Sequence, residues 1–77
     1  MKQLCSLVAE ILGVEGSTIG PRTGPGTLPK WDSLGHIHLI SAVEETYNVQ
    51  LTADEIINVL SVSDLAALLE EKGVHVG

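Results

Sequence analysis

Apolar positions along the chain fall into helical periods, separated by one long stretch in which no period survives. Leu4, Leu7, Val8, Ile11 and Leu12 follow the i, i+3, i+4, i+7, i+8 spacing of an amphipathic helix. Gly13 then supplies a stop signal. Cys5 lies at the edge of that stripe and reads as a small packing residue, not a reactive thiol. A second helix is predicted from about Ser33 to Tyr47, and it carries two apolar stripes. Leu39, Ile40, Val43 and Tyr47 make a core face, while Leu34, Ile37 and Ser41 stand in line on a different side. Ile37 either tucks under the adjoining loop or belongs to a docking face, and its position beside Ser33 favours the second.

A short third helix opens at Thr52-Ala53-Asp54-Glu55, which reads as a capping box with Thr52 as cap and Glu55 reaching back. Ile56, Ile57, Val59 and Leu60 are expected to supply its packing. Ser63-Asp64 opens a last helix with Leu65, Leu68 and Leu69 on the inner face. Gly73 ends it, and residues 73–77 are expected to fray. Nothing repeats and no segment asks to be a strand. The predicted fold is all-α: a small four-helix bundle of three longer helices and one short one. Between its first two helices, residues 13–30 lose all periodicity, with Gly13, Gly16, Gly20, Gly24 and Gly26 alternating with Pro21, Pro25 and Pro29. A loop of this length in a compact domain is functional or disordered. Val14, Ile19 and Leu28 are its candidates for pinning it to the bundle.

Composition sharpens this picture. A chain of 77 residues accommodates one domain, taken as 1–77, with a thin margin of stability. Apolar residues make up 44% but include no Phe, one Trp and one Tyr, so Leu, Ile, Val and Ala are expected to build the core. Cys5 is the only cysteine, which rules out an internal disulfide or a cysteine zinc site and fits a cytoplasmic location. The opening Met1-Lys2-Gln3-Leu4-Cys5 looks faintly like a leader. Glu10 interrupts the apolar run, however, and Ile11-Leu12 continue the helical period, so it reads as mature structure. No apolar stretch approaches the roughly 20 residues that cross a bilayer, and no membrane role is expected. Ten acidic against four basic residues give a formal charge of −6. That sign repels phosphate backbones, which argues against nucleic acid, and favours partners with basic patches.

The candidate chemistry is Asp32-Ser33-Leu34, at the predicted start of the second helix. Unpaired N–H groups and partial positive charge at a helix N-terminus favour a phosphate ester on Ser33. Capping is the ordinary role of Asp or Ser there, and the two roles are compatible. His36 and His38, two apart, point about 200° from each other on a helix and cannot share a ligand. Both read as partly exposed surface histidines, and His75 falls in the tail. Ser33 with His36 could begin a hydrolytic triad, which would also need an oxyanion hole, a pocket and an oriented acid. No G-x-S-x-G, P-loop or dinucleotide fingerprint is present, so an enzyme is not expected.

Trp31-Asp32-Ser33-Leu34-Gly35-His36, then Leu39-Ile40, Ala42-Val43-Glu44-Glu45 and Tyr47-Asn48-Val49, resembles the acyl carrier protein family. Agreement continues through Leu51-Thr52, Glu55-Ile56 and Val62-Ser63-Asp64-Leu65 and covers nearly the whole chain. The resemblance implies that a phosphopantetheinyl transferase esterifies Ser33 with 4′-phosphopantetheine taken from coenzyme A. The arm's thiol then holds acyl groups as thioesters, and the carrier itself catalyses nothing. It further implies docking contacts from Asp32, Leu34, Ile37, Glu44, Glu45, Asp54 and Glu55. The implied partners are the transferase, an acyl-loading ligase or acyltransferase, and a ketosynthase or other acyl-processing enzyme, met by a monomer. Carriers of bacterial fatty acid synthesis usually have acidic residues where Gly35 and His38 stand here. That departure points to a dedicated polyketide, modified-lipid or secondary-metabolite pathway. A fatty acid synthesis carrier, an aminoacyl or peptidyl carrier (whose usual Gly-Gly-x-Ser is missing) and a non-carrier helical interaction module are the alternatives.

Overall fold

The computed structural model describes residues 2–76, and among them it is all-helical with no strand. Helix α1 spans Lys2–Leu12, α2 Ser33–Tyr47, α3 Ala53–Ile57 and α4 Val62–Glu71. A single 3-10 turn, Gly16–Thr18, interrupts the segment joining α1 to α2.

Three of the four helices end by the same device. Gly13, Asn48 and Gly73 take positive φ angles of 69°, 54° and 87°. The N–H of the valine that follows each then bonds back to a carbonyl in the last helical turn: Val14 to Ala9, Val49 to Glu44 and Val74 to Leu69, at 2.9–3.1 Å. Each valine also packs on the core, as this type of helix ending favours. The predicted stops at Gly13 and Gly73 are therefore real, and Asn48 does the same work at the end of α2.

The core lies between α1, α2 and α4. Leu4 and Val8 of α1, Leu39 and Val43 of α2, and Val62, Leu65 and Leu69 of α4 are fully buried. The stripe on α1 is turned slightly from its expected direction, because Ala9 is buried and Ile11 faces out. The expectation of a purely aliphatic core needs a correction. Trp31 is the largest fully buried side chain, because the end of the loop folds back beneath α2 and carries the indole inward.

The segment between α1 and α2 is strapped across the start of α4. Carbonyls of Thr23 and Pro21 accept the N–H groups of Val62 and Ser63, which begin α4 and lack intrahelical partners. Gly24 is buried against the Leu60 carbonyl, where a Cβ would collide with backbone. Ile19 is buried, and Val14 and Leu28 pack against the core as expected.

At α3 the capping box forms as the sequence predicts: Thr52 N donates to Glu55 Oε1 at 2.8 Å and Glu55 N to Thr52 Oγ1 at 3.2 Å. Two other expectations fail there. Of the four residues expected to pack, Val59 is buried and Ile56 partly so, but Ile57 and Leu60 are exposed, because a helix of five residues has only one narrow inner side. Helix α4 begins at Val62 and not at Ser63. Ser61 Oγ accepts from Asp64 N, and Asp64 Oδ2 accepts from Leu60 N, each at 3.1 Å, which fixes the start there. The tail likewise departs from a frayed end. Val74 packs on the core and Val76 is 4% exposed, since the turn at Gly73 sends the chain back toward the bundle. Gly77 lies outside the described residues.

Candidate functional site

Asp32 is the N-cap of α2. Its backbone is extended, and its Oδ1 accepts from Gly35 N at 2.8 Å while its carbonyl accepts from His36 N. Ser33 is the first helical residue and is exposed. Among the described residues, no hydrogen bond takes up the Ser33 hydroxyl or the N–H groups of Ser33 and Leu34. A hydroxyl in water thus adjoins two unpaired N–H groups at the positive end of a 15-residue helix. That is an environment in which a phosphate ester is stabilised.

Gly35 has a steric reason to be glycine. A Cβ there would lie 2.7 Å from the Lys30 carbonyl and 3.0 Å from a Leu12 methyl. The loop and the end of α1 therefore press directly against the first turn of α2, and no acidic side chain fits at this position. His38, the other place where an acid was missed, is exposed.

Both histidines are at least partly exposed, as expected, but His36 has partners that the sequence did not reveal. His38 is exposed, but His36 is half-buried and joined at both ring nitrogens. The Trp31 indole Nε1–H donates to His36 Nδ1 at 2.8 Å, and His36 Nε2 lies 2.8 Å from the Ile56 carbonyl of α3. An indole nitrogen only donates and a carbonyl only accepts. These partners suit the tautomer that carries its proton on Nε2. Both nitrogens being engaged with groups other than Ser33, the hydrolytic pairing of Ser33 with His36 does not form.

Beside Ser33 an open cleft of about 530 Å³ runs between α2 and α3. Its walls are mainly apolar, from Trp31, Ile37, Ile56, Ile57, Val59 and Leu60, with Asp32, Ser33 and His36 as the polar members. Around it stand the most exposed large hydrophobic side chains described: Leu34 at 62%, Ile37 at 59%, Ile57 at 70% and Leu60 at 67%. The second stripe of α2 is thus exposed and does not tuck under the loop. Ile57 and Leu60 extend it from across the cleft. Sequence reasoning placed both in the core, and the only available signal was the shortness of α3.

The acidic candidates divide by what their carboxylates hold. Glu45 and Asp54 are exposed. Glu44 Oε2 accepts from Leu51 N at 2.8 Å and ties the end of α2 to the approach to α3. Glu55 completes the capping box and pairs with Lys72 Nζ of the α4 end at 3.1 Å. The Thr52 N–H first, and Lys72 second, hold the Glu55 carboxyl below its usual range. Burial pushes the Tyr47 phenol upward, and its hydroxyl is buried without a hydrogen-bond partner.

No cluster of histidine, cysteine and carboxylate residues suited to a metal occurs among the described residues. No helix described is long and apolar enough to cross a membrane. The fold and site are those of a small domain that displays a modifiable hydroxyl at a helix end. The family model of the phosphopantetheine attachment site matches residues 30–69, and the chain belongs to that family. It is a phosphopantetheine carrier, a domain to which the 4′-phosphopantetheine group is covalently attached.

Proposed function

We propose that Ser33 is the attachment point of the arm and that residues 1–77 act as one acyl-carrier domain. The observation that carries this reading is the exposed, unpartnered Ser33 hydroxyl beside free N–H groups and an apolar cleft. The Ser33 oxygen gives up its proton and bonds to the pantetheine-bearing phosphorus of coenzyme A as the pyrophosphate bond breaks and adenosine 3′,5′-bisphosphate leaves, and the helix end stabilises the phosphodiester anion that results. Once bound, the group supplies a terminal thiol that holds acyl chains as thioesters. Asp32 fixes the direction of the first turn and so presents Ser33 to the transferase.

Leu34 and Ile37, joined by Ile57 and Leu60 across the cleft, form the apolar part of the docking face. Glu45 and Asp54 contribute charge to partners with basic patches. Glu44 and Glu55 act mainly by shaping the connection on which that face stands. The partners are a phosphopantetheinyl transferase, an acyl-loading ligase or acyltransferase, and a ketosynthase or other acyl-processing enzyme. The carrier meets them as a cytoplasmic monomer. Gly35 and the exposed His38 remove two negative charges from this face, which weakens attraction to strongly basic docking patches. This supports a dedicated polyketide, modified-lipid or secondary-metabolite pathway over housekeeping fatty acid synthesis.

The test is intact-mass analysis after incubation with coenzyme A and a broad-specificity transferase. One phosphopantetheine mass is expected on the wild-type chain and none on Ser33→Ala. A modified Ser33→Ala protein would move the attachment elsewhere. Failure of wild-type protein with several transferases would favour the non-carrier interaction module.

A further inference from the structure

Helix α3 borders the cleft beside Ser33, yet none of its own five residues is fully buried. Its hydrophobic anchors, Leu51 and Val59, lie just outside it on either side. Between those anchors the helix is held by the partly buried Ile56 and by polar contacts. Lys72 pairs with Glu55 from the α4 side, in a bridge open to solvent. From the α2 side, His36 Nε2–H donates to the Ile56 carbonyl, and the ring's other nitrogen is fixed by the buried indole of Trp31. The two rings lie 6.1 Å apart and 26° from parallel.

We propose that His36 is a positioning residue that clamps α3 to the buried Trp31, sets the width of the cleft beside Ser33, and releases α3 when protonated. Only the neutral ring with its proton on Nε2 satisfies both neighbours. Protonation adds an N–H at Nδ1, which then faces the indole N–H, donor against donor, so the ring turns away from Trp31 and carries its Nε2–H off the Ile56 carbonyl. The charged groups around the clamp are few. Asp32 shares the cleft wall, Asp54 and Glu55 lie on α3 with Glu55 paired to Lys72, Lys30 precedes Trp31 on the loop, and His38 faces out on α2. Acid therefore loosens α3 and opens the cleft, and neutrality closes it. The value of this to the carrier rests on Ser33 bearing the arm, whereas the clamp belongs to the polypeptide alone.

The test uses the full unmodified chain. Nitrogen-15 NMR of the imidazoles at neutral pH is expected to find the His36 proton on Nε2. On acidification toward about pH 5, fluorescence of the single tryptophan should fall in step with the His36 titration. Protection factors of the Glu55, Ile56 and Ile57 amides, taken against the intrinsic exchange rate at each pH, should then fall on the order of tenfold, the equivalent of one lost hydrogen bond. His36→Gln should abolish this response and His38→Gln should keep it. A proton on Nδ1, α3 amides indifferent to the His36 titration, or an acid response that persists in folded His36→Gln protein would each overturn the proposal. If circular dichroism shows His36→Gln unfolded, the wild-type titration decides. Failure here leaves the mass shift at Ser33 untouched, so the two readings fail separately.

Discussion

The side of α2 turned into the bundle carries Leu39, Ile40 and Val43 at no more than 3% exposure, while Leu34 and Ile37 stand more than half exposed on the same helix. The same contrast runs through the whole molecule. Helices α1, α2 and α4 bury their aliphatic side chains against one another and hold the fold. Helix α3 and its flanks bury two anchors, pack Ile56 only in part, leave Ile57 and Leu60 in solvent, and add caps, one ion pair and one histidine. Separating the two kinds of surface lets the carrier present a sticky, adaptable face without risking its core. Low local stability is a common property of elements that meet ligands and partners.

The contrast can be broken by substitution on either side. Leu39→Ala, deep in the core, should destabilise the protein by about 2–5 kcal/mol in urea unfolding, a large part of the stability of so small a domain. Gly24→Ala comes next, at about 1–3 kcal/mol, because the added methyl meets the Leu60 carbonyl and forces the strap away from α4. A Gly24→Ala protein as stable as wild type would mean that the loop is not strapped as described. Tyr47→Phe removes a buried hydroxyl that has no partner, and unfolding should show a change between zero and about 1 kcal/mol in favour of the variant.

On the open side, Ile37→Ala should change stability by no more than about 0.5 kcal/mol, the range of ordinary surface positions. It should nevertheless slow acyl transfer to or from partner enzymes. Equal loss of stability in Ile37→Ala and Leu39→Ala would erase the distinction between the two faces. The smallest effect belongs to Glu55. Its carboxyl is held below the ordinary value of 4.5, chiefly by the Thr52 N–H. The folded state therefore gains stability that is present above that value and is lost as pH falls through the lower, folded one. Glu55→Gln should flatten the acid side of the stability curve by slightly lowering the urea midpoint at neutral pH, where the carboxylate contributes.

Local signals in the sequence were reliable where a residue's role depends on its near neighbours. The bounds of α2, the Thr52–Glu55 box, the stops at Gly13 and Gly73 and the two stripes of α2 are all set within a turn or two of chain. The place of Ser33 at the head of α2 followed from the same logic. Misreadings arose where a residue's partner is distant in sequence. Trp31 was left out of the core and His36 was read without partners, yet each finds the other across a helix end and His36 finds Ile56, twenty residues on. Ile57 and Leu60 were counted as packing because apolar type alone does not reveal how little surface a five-residue helix can bury.

The order of helices, their ends and the identity of the residue at the head of α2 are written in the chain itself, because spacing, capping and backbone preference act locally and need no knowledge of the fold. Which histidine holds a neighbour, why Gly35 admits no side chain and which aliphatic residues remain in water were decided only by the tertiary structure. Each depends on how closely separate segments approach in space, and a linear pattern does not encode that distance.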